Sequence, residues 1–338
     1  MGLKKNQDIQ MIRGLCMAAV VLIHSGSAAE MQFVSGQEWQ FWYWVMLRQI
    51  INFAVGTFFF LSGYLVDQQK VNGAPLRFIS RRVVRLAIPF VVWSGIYSLK
   101  TILLDWPDVD WLSVILHFVA GKVAAPFYFI LVLLQLNLLT PALLRAQNKP
   151  VIRTVIWCLS PAYLIALGAY CVINGTQPPL YETVFPAWLI YYWAGLRWKS
   201  GRKYSVRGWY VAVALGIAML DAVILVTRFQ AASLAPSQVR LATVPYALLL
   251  ATWLISHRFP LPAKTAWKYI GNHSYGVFYI HCLMLSITEK VVIAIEAGQN
   301  VLLSQVVNWT GSLCLSLVAC IILEKMFGRQ RAEKWLGV

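Results

Sequence analysis

Charge is scarce in this sequence, and acid is scarcest of all. Asp and Glu together number 13, and charged residues of both signs fill 12% of the 338 positions, against roughly 25% in an ordinary soluble domain. With 59% of its residues hydrophobic, a water-soluble globule of this composition could not cover its own surface, so a soluble enzyme is excluded. The six cysteines, Cys16, Cys158, Cys171, Cys282, Cys314 and Cys320, all sit in apolar runs and form no CxxC pair. That argues against a disulfide framework and against a thiolate metal site. The five histidines show no HxxxH or HExxH spacing, so no metal is expected. There is no internal repeat of about 20–50 residues and no heptad seam.

What the chain has instead is apolar length. A membrane-crossing helix needs about 20 apolar residues. Ten such stretches run at about 12–29, 42–66, 82–100, 124–144, 151–173, 183–198, 208–228, 239–256, 272–294 and 300–324. They predict an all-α polytopic membrane protein of about ten transmembrane helices, forming a single domain over residues 1–338 with no appended soluble domain. With the N-terminus placed in the cytoplasm, all but six of the 29 Lys and Arg residues fall on the cytoplasmic side. The exceptions are Arg48, Lys100, Lys122, Arg228, Arg240 and Lys290. The positive-inside rule then puts both termini in the cytoplasm. The formal charge of +16 follows from topology, and no nucleic-acid partner is required. Lys4-Lys5, an apolar run and Gly26-Ser27-Ala28-Ala29 imitate a cleavable leader. Arg13 and His24 inside the run argue instead for a retained first span.

An ionisable group inside the bilayer costs roughly 2.5–3.5 kcal/mol on insertion scales, which makes each one a functional candidate. Arg13 and His24 lie eleven residues apart, only about 20° from three full turns, so both face one side of a helix, separated by about 16.5 Å. His281 lies at similar depth in the ninth span, and the two histidines are expected to line one cavity. The run Arg77-Phe78-Ile79-Ser80-Arg81-Arg82-Val83-Val84-Arg85 is the densest cation cluster. Arg81, Arg82 and Arg85 sit at helical spacing, where their planar forks suit a phosphate-bearing ligand or, equally, a topology anchor on anionic lipid. Ser62 and Gly63 permit close approach of a backbone or a ligand. Asp221, with Arg228 two turns later, has no assigned role.

Taken together these residues resemble the membrane-bound acyltransferase-3 family, which O-acylates bacterial glycans. The resemblance is carried by Arg13-Gly14 followed by His24, by Phe59-Phe60-Leu61-Ser62-Gly63-Tyr64, and by Arg81-Arg82-Val83-Val84-Arg85 with Pro89. Pro126-Phe127-Tyr128-Phe129-Ile130 and Ser274-Tyr275-Gly276-Val277-Phe278-Tyr279-Ile280-His281 complete it, in order across nearly the whole chain. Two positions depart from the family pattern. Gln10 stands where an aspartate often precedes the arginine, and Tyr128 stands where a tryptophan is usual.

The resemblance implies acetyl-CoA as acyl donor and a hydroxyl of a cell-surface, exported or lipid-linked glycan as acceptor, at the bacterial cytoplasmic (inner) membrane. On that expectation His24 is a general base or an acyl relay, Arg13 and His281 are further catalytic-site residues, and Arg82, Arg85, Arg81, Ser62 and Tyr128 hold the donor. Succinyl could replace acetyl. A transporter or flippase of a lipid-linked glycan is the rival from another class, since intramembrane His and Arg also suit a substrate path. The chain lacks the paired broken helices and two-half symmetry that point to a secondary carrier.

Overall fold

In hydrocarbon there is no water to answer a backbone N–H or C=O, so apolar runs of this kind must close their hydrogen bonds within the segment, as helices do. The computed structural model describes residues 2–26, 38–200, 206–257, 264–295 and 300–338. Ser27, Ala28, Ala29, Arg202, Lys203 and Arg258 lie outside the described residues, as do the side chains of Lys4, Lys5 and Lys199. Among the described residues the regular structure is entirely helical: α1 Gly2–His24, α2 Glu38–Ile51, α3 Phe53–Tyr64, α4 Gln68–Gly73, α5 Pro75–Leu104, α6 Trp111–Ala120, α7 Tyr128–Ala146, α8 Pro150–Asn174, α9 Leu189–Ser200, α10 Gly208–Thr227, α11 Thr243–Ser256, α12 Lys264–Asn272, α13 Ser274–Ala294, α14 Val301–Phe327 and α15 Arg329–Leu336. The chain is a polytopic all-α membrane protein.

A helix stands in each of the ten apolar stretches, but they are not equal. Seven are long and apolar enough to cross a membrane: Glu38–Tyr64 (α2 with α3), α5, Ala125–Ala146, α8, α10, α13 and α14. The other three differ for physical reasons. Helix α1 carries Asp8, Gln10, Arg13 and His24 among its apolar residues. Helices α9 and α11 have 12 and 14 residues, about 18 and 21 Å at 1.5 Å per residue. Helix α11 is preceded by non-helical chain that is largely buried, and α9 by a short 3-10 turn at Phe185–Ala187. The stretch expected to be a loop between the third and fourth spans contains α6, capped at its start by the Asp110 carboxylate accepting from Ser113 N at 3.1 Å and at its end by Gly121 at φ 64°.

Two seams lock the bundle. A Cβ on Gly63 of α3 would collide with the Tyr192 carbonyl of α9, and a Cβ on Gly195 of α9 with the Phe60 carbonyl of α3. The same reciprocity joins α1 and α12, where Gly14 faces the Trp267 carbonyl and Gly271 the Gln10 carbonyl. Small residues that bring backbones together are the usual glue in lipid, where no hydrophobic force pulls helices together. Gly63 therefore serves helix contact, while Ser62, one residue and about 100° away, is free to face elsewhere.

Gly63→Ala and Gly195→Ala should each lower the thermal midpoint of the detergent-solubilised protein, by the ~1–3 kcal/mol of an overpacked site or more, because the obstacle is backbone. Gly95→Ala, with nothing within 4 Å of its added carbon, should leave the midpoint unchanged or raise it. Equal behaviour of the three variants in a fluorescence-detected melting series would refute the seam.

Candidate active site

Helices α1, α3, α5, α7 and α13 surround a cavity of about 460 Å³. Arg13 and His24 both reach it from α1, as the eleven-residue spacing requires. Ser62 lines it from α3, Arg82 and Arg85 from α5, Tyr128 from α7, and Ser274, Tyr275 and Phe278 from α13. Arg81 does not line the cavity; it is exposed on the adjoining face of α5. The lining contains no acidic residue, so its charges among the described residues are all cationic.

Each arginine of the lining has a partner already. Arg13 Nη1 donates to Gln10 Oε1 at 3.3 Å, so the glutamine at the family's aspartate position still orients the guanidinium, without neutralising it. Arg82 lies 5.6 Å from the ring centroid of Phe78. Arg85 Nη2 pairs with Glu333 Oε1 of α15 at 2.9 Å, both side chains largely exposed; such a surface pair is worth about 0–1 kcal/mol and yields readily to a stronger anion. Ser62 Oγ donates to Phe58 O at 2.8 Å, which commits its proton within α3 and leaves only oxygen lone pairs to the cavity.

His24 closes the last turn of α1, and its ring centroid lies 5.4 Å from that of His281. The expectation that both line one cavity is met by His24 alone. His281 stands behind it, fully buried. Its Nδ1 is 3.0 Å from the Val277 carbonyl; a carbonyl can only accept, so Nδ1 carries the proton. Its Nε2 is then the acceptor beside Cys282 Sγ at 3.4 Å. His281 packs against the candidate base without reaching the cavity.

Several site residues carried no motif in the sequence. In the sequence Arg48 is only one of the outer-side charges. In the structure its Nη1 donates to Ile23 O at 3.2 Å, at the end of α1 beside His24, and its Nε donates to Pro236 O at 3.2 Å. Gln238 lines the cavity and donates to Tyr128 Oη at 2.5 Å. It sits in the non-helical stretch before α11, where Ala231, Leu234, Ala235, Ser237, Val239 and Arg240 are buried. Polar side chains of α2 and the α2–α3 break answer that backbone: Gln49 Nε2 donates to Ala235 O at 3.0 Å, and Asn52 Nδ2 to Pro236 O at 3.1 Å and Ser237 O at 3.3 Å. Arg240 bonds both Asp221 and Gln49. Asp221 thus gains a role: its partner is Arg240 from the non-helical stretch, while Arg228 is exposed. The only signal for this network in the sequence was polar residues in apolar surroundings.

Comparison with known proteins bears on the whole chain. The model of the acyltransferase domain family matches residues 6–325. The chain is similar to a Bacillus subtilis (strain 168) protein provisionally named membrane-bound acyltransferase YfiQ, at 23% identity over 305 residues, covering 83% of this chain and 81% of that protein. No solved structure matches.

Asp221→Asn leaves the buried Arg240 guanidinium without its counter-charge, and should cost about 1.5–3 kcal/mol, the worth of a hydrogen bond to a charged group. Melting of Asp221→Asn, Arg240→Gln and the double variant in nanodiscs checks this. The double variant should be more stable than the sum of the singles predicts, whereas strict additivity would show that the pair contributes nothing.

Proposed function

Because the chain belongs to the acyltransferase domain family, we propose that it takes an acetyl group from cytoplasmic acetyl-CoA and places it on a hydroxyl of a cell-surface or exported glycan, with His24 receiving the hydroxyl's proton. Acyl transfer by a membrane-bound protein is the activity the family carries. The donor, the acceptor and the duty of His24 are our reading. The observation that supports it is one cavity with Arg13, Arg82 and Arg85 in its wall and His24 at the end of the helix that Arg13 begins to line.

A donor whose phosphates sit at one end and whose thioester sits at the other fits that polarity. The forks of Arg82 and Arg85 bind oxyanions bidentately, and the phosphorylated end stays with them at the mouth. The apolar walls from Val20, Phe58, Leu61, Phe129 and Phe278 accept a thin uncharged arm, which brings the thioester toward His24. A neutral imidazole within reach of a hydroxyl removes its proton as the oxygen attacks. The acyl carbon–sulfur bond breaks as the carbon–oxygen bond forms, and the proton held on His24 passes to the departing thiolate. If the imidazole takes the acetyl group first, the same atoms balance over two steps and the kinetics are ping-pong.

Purified wild type should bind radiolabelled acetyl-CoA, and with a cell-envelope glycan fraction present to take the acetyl group it should release free thiol. His24→Ala should keep the affinity within about twofold and lose at least 100-fold in release, the lower end of general-base contributions. Arg82→Gln/Arg85→Gln should behave in the opposite sense, with coenzyme affinity falling at least tenfold. Label trapped on wild-type protein in an acid quench would assign the relay form of the mechanism. A folded wild type that neither binds coenzyme nor releases thiol would overturn the assignment.

A further inference from the structure

A helix ends with its last four carbonyls unanswered, and inside a membrane only protein can answer them. At the end of α1, Leu22 O accepts from Ser25 N at 3.3 Å and from Ser25 Oγ at 2.9 Å. The next carbonyl, Ile23 O, is answered from another helix, by Arg48 Nη1 of α2 at 3.2 Å. That oxygen and the His24 N–H lie in one rigid peptide plane. Whatever holds the Ile23 carbonyl therefore holds the backbone from which the His24 imidazole reaches the cavity.

Helix α2 grips this place twice. Trp44 stands one turn before Arg48 on the same face, and the guanidinium lies 5.7 Å from the indole ring centroid. A Cβ on Gly26 would stand 2.5 Å from that indole, so the chain leaving α1 passes flat against the ring. The same guanidinium reaches a second segment, where its Nε donates to Pro236 O at 3.2 Å. Pro236 stands just before Ser237 and Gln238, and the Gln238 amide holds the Tyr128 hydroxyl at 2.5 Å. His24, Gln238 and Tyr128 line one cavity. Arg48 is bonded both to the backbone that carries the first and to the backbone that carries the second.

The need to answer carbonyls does not by itself explain an arginine. Pro236 O already accepts from Asn52 Nδ2 at 3.1 Å, and Gln49 Nε2 answers the neighbouring Ala235 O at 3.0 Å; uncharged amides suffice for both. A cation at this depth is costly, and one neutral donor would be enough for Ile23 O. What the guanidinium adds is a connection. Its donors leave a planar group at fixed angles, so two carbonyls bonded to it are held at a set separation. Two independent amides would impose no such relation.

Resting on the reading of His24 as the group that takes the hydroxyl's proton, we propose that Arg48 is a positioning residue for the transfer. Its guanidinium ties the end of α1 to the stretch ahead of α11, and so fixes how the His24 imidazole stands relative to the Tyr128 hydroxyl. Arg48 is not part of the cavity lining and acts through these two residues. The arginines that suit a phosphate, Arg82 and Arg85, stand on α5, away from the tie. Loosening it therefore disturbs the reacting end of the cavity and spares the donor's anionic end.

The test uses the full chain in nanodiscs, with acetyl-CoA and a cell-envelope glycan fraction. Arg48→Ala should lower kcat roughly 100-fold, the cost of misplacing a reacting group by about 1 Å, while KM for acetyl-CoA stays within about twofold. Arg48→Lys, whose ammonium is a point charge, should fall between the two. Added methylguanidinium should restore much of the kcat of Arg48→Ala, and methylammonium should not. Arg240→Gln removes a bond from the same stretch, at Ser237 O, and none from α1; it should melt earlier and keep kcat near that of wild type. Retained coenzyme affinity certifies each fold, and Arg48→Lys carries the test if Arg48→Ala does not fold. Hydrogen–deuterium exchange gives a readout that needs no turnover: in Arg48→Lys, residues 22–26 and 234–239 should lose protection together while residues 284–292 keep theirs. Wild-type kcat in both Arg48 variants, a loss carried by KM, equal rescue by methylammonium, or an equal loss of kcat in Arg240→Gln overturns the proposal. If the wild type transfers no acetyl group, the acyl-transfer reading falls and exchange alone decides: joint loss of protection upholds the tie, and protection kept in either segment overturns it.

Discussion

A buried stretch of chain that is not a helix must have its carbonyls answered by something other than water, and ahead of α11 that duty falls on one edge of α2 and the break that follows it. Gln49 and Asn52 feed the backbone ahead of α11, and Arg48 bonds both that backbone and the last turn of α1. Two parts of the candidate site hang on this edge. It holds the helix end that presents His24, and it holds the stretch from which Gln238 reaches Tyr128. The break between α2 and α3 at Asn52 is therefore where one membrane-crossing element meets the irregular chain it supports.

Charge is then used sparingly and in two different ways. Where cations have no acidic neighbour in the lining, as with Arg13 and Arg82, they create a field that suits an anion. Where a cation meets an acid at depth, as Arg240 meets Asp221, the pair is structural and holds a loop. The same residue type serves both purposes, and only the partner distinguishes them. A buried arginine is too costly to leave without a defined duty.

The helical, membrane-spanning character was legible because it rests on composition and run length, which are local. The Arg13–His24 face was legible for the same reason, since helical rotation alone fixes it. The shortness of α9 and α11 was not legible: the apolar chain before α11 is a buried loop and that before α9 includes a 3-10 turn, and hydropathy does not distinguish either from a helix. The parts of the site that escaped are those made by contacts distant in sequence. Arg48 and Pro236 are 188 residues apart, and Gln238 and Tyr128 are 110 apart; no spacing rule connects them. Arg81 stands outside the cavity, because a charge cluster does not say which of its members turns inward.

The glycine seams have a mechanical meaning. Where two helices touch through backbone atoms there is no layer of side chains to change rotamer, so α1 with α12 and α3 with α9 can shift only as rigid pairs. The wall given by α5 meets the cavity through Arg82 and Arg85, long side chains that can swing, whereas Tyr128 and Phe278 are buried and Tyr128 is held by Gln238. The stiffness of the chamber is thus uneven: the side bearing His24 keeps its shape while the side bearing Arg82 and Arg85 can give, so a large guest is admitted there and the imidazole holds its place throughout.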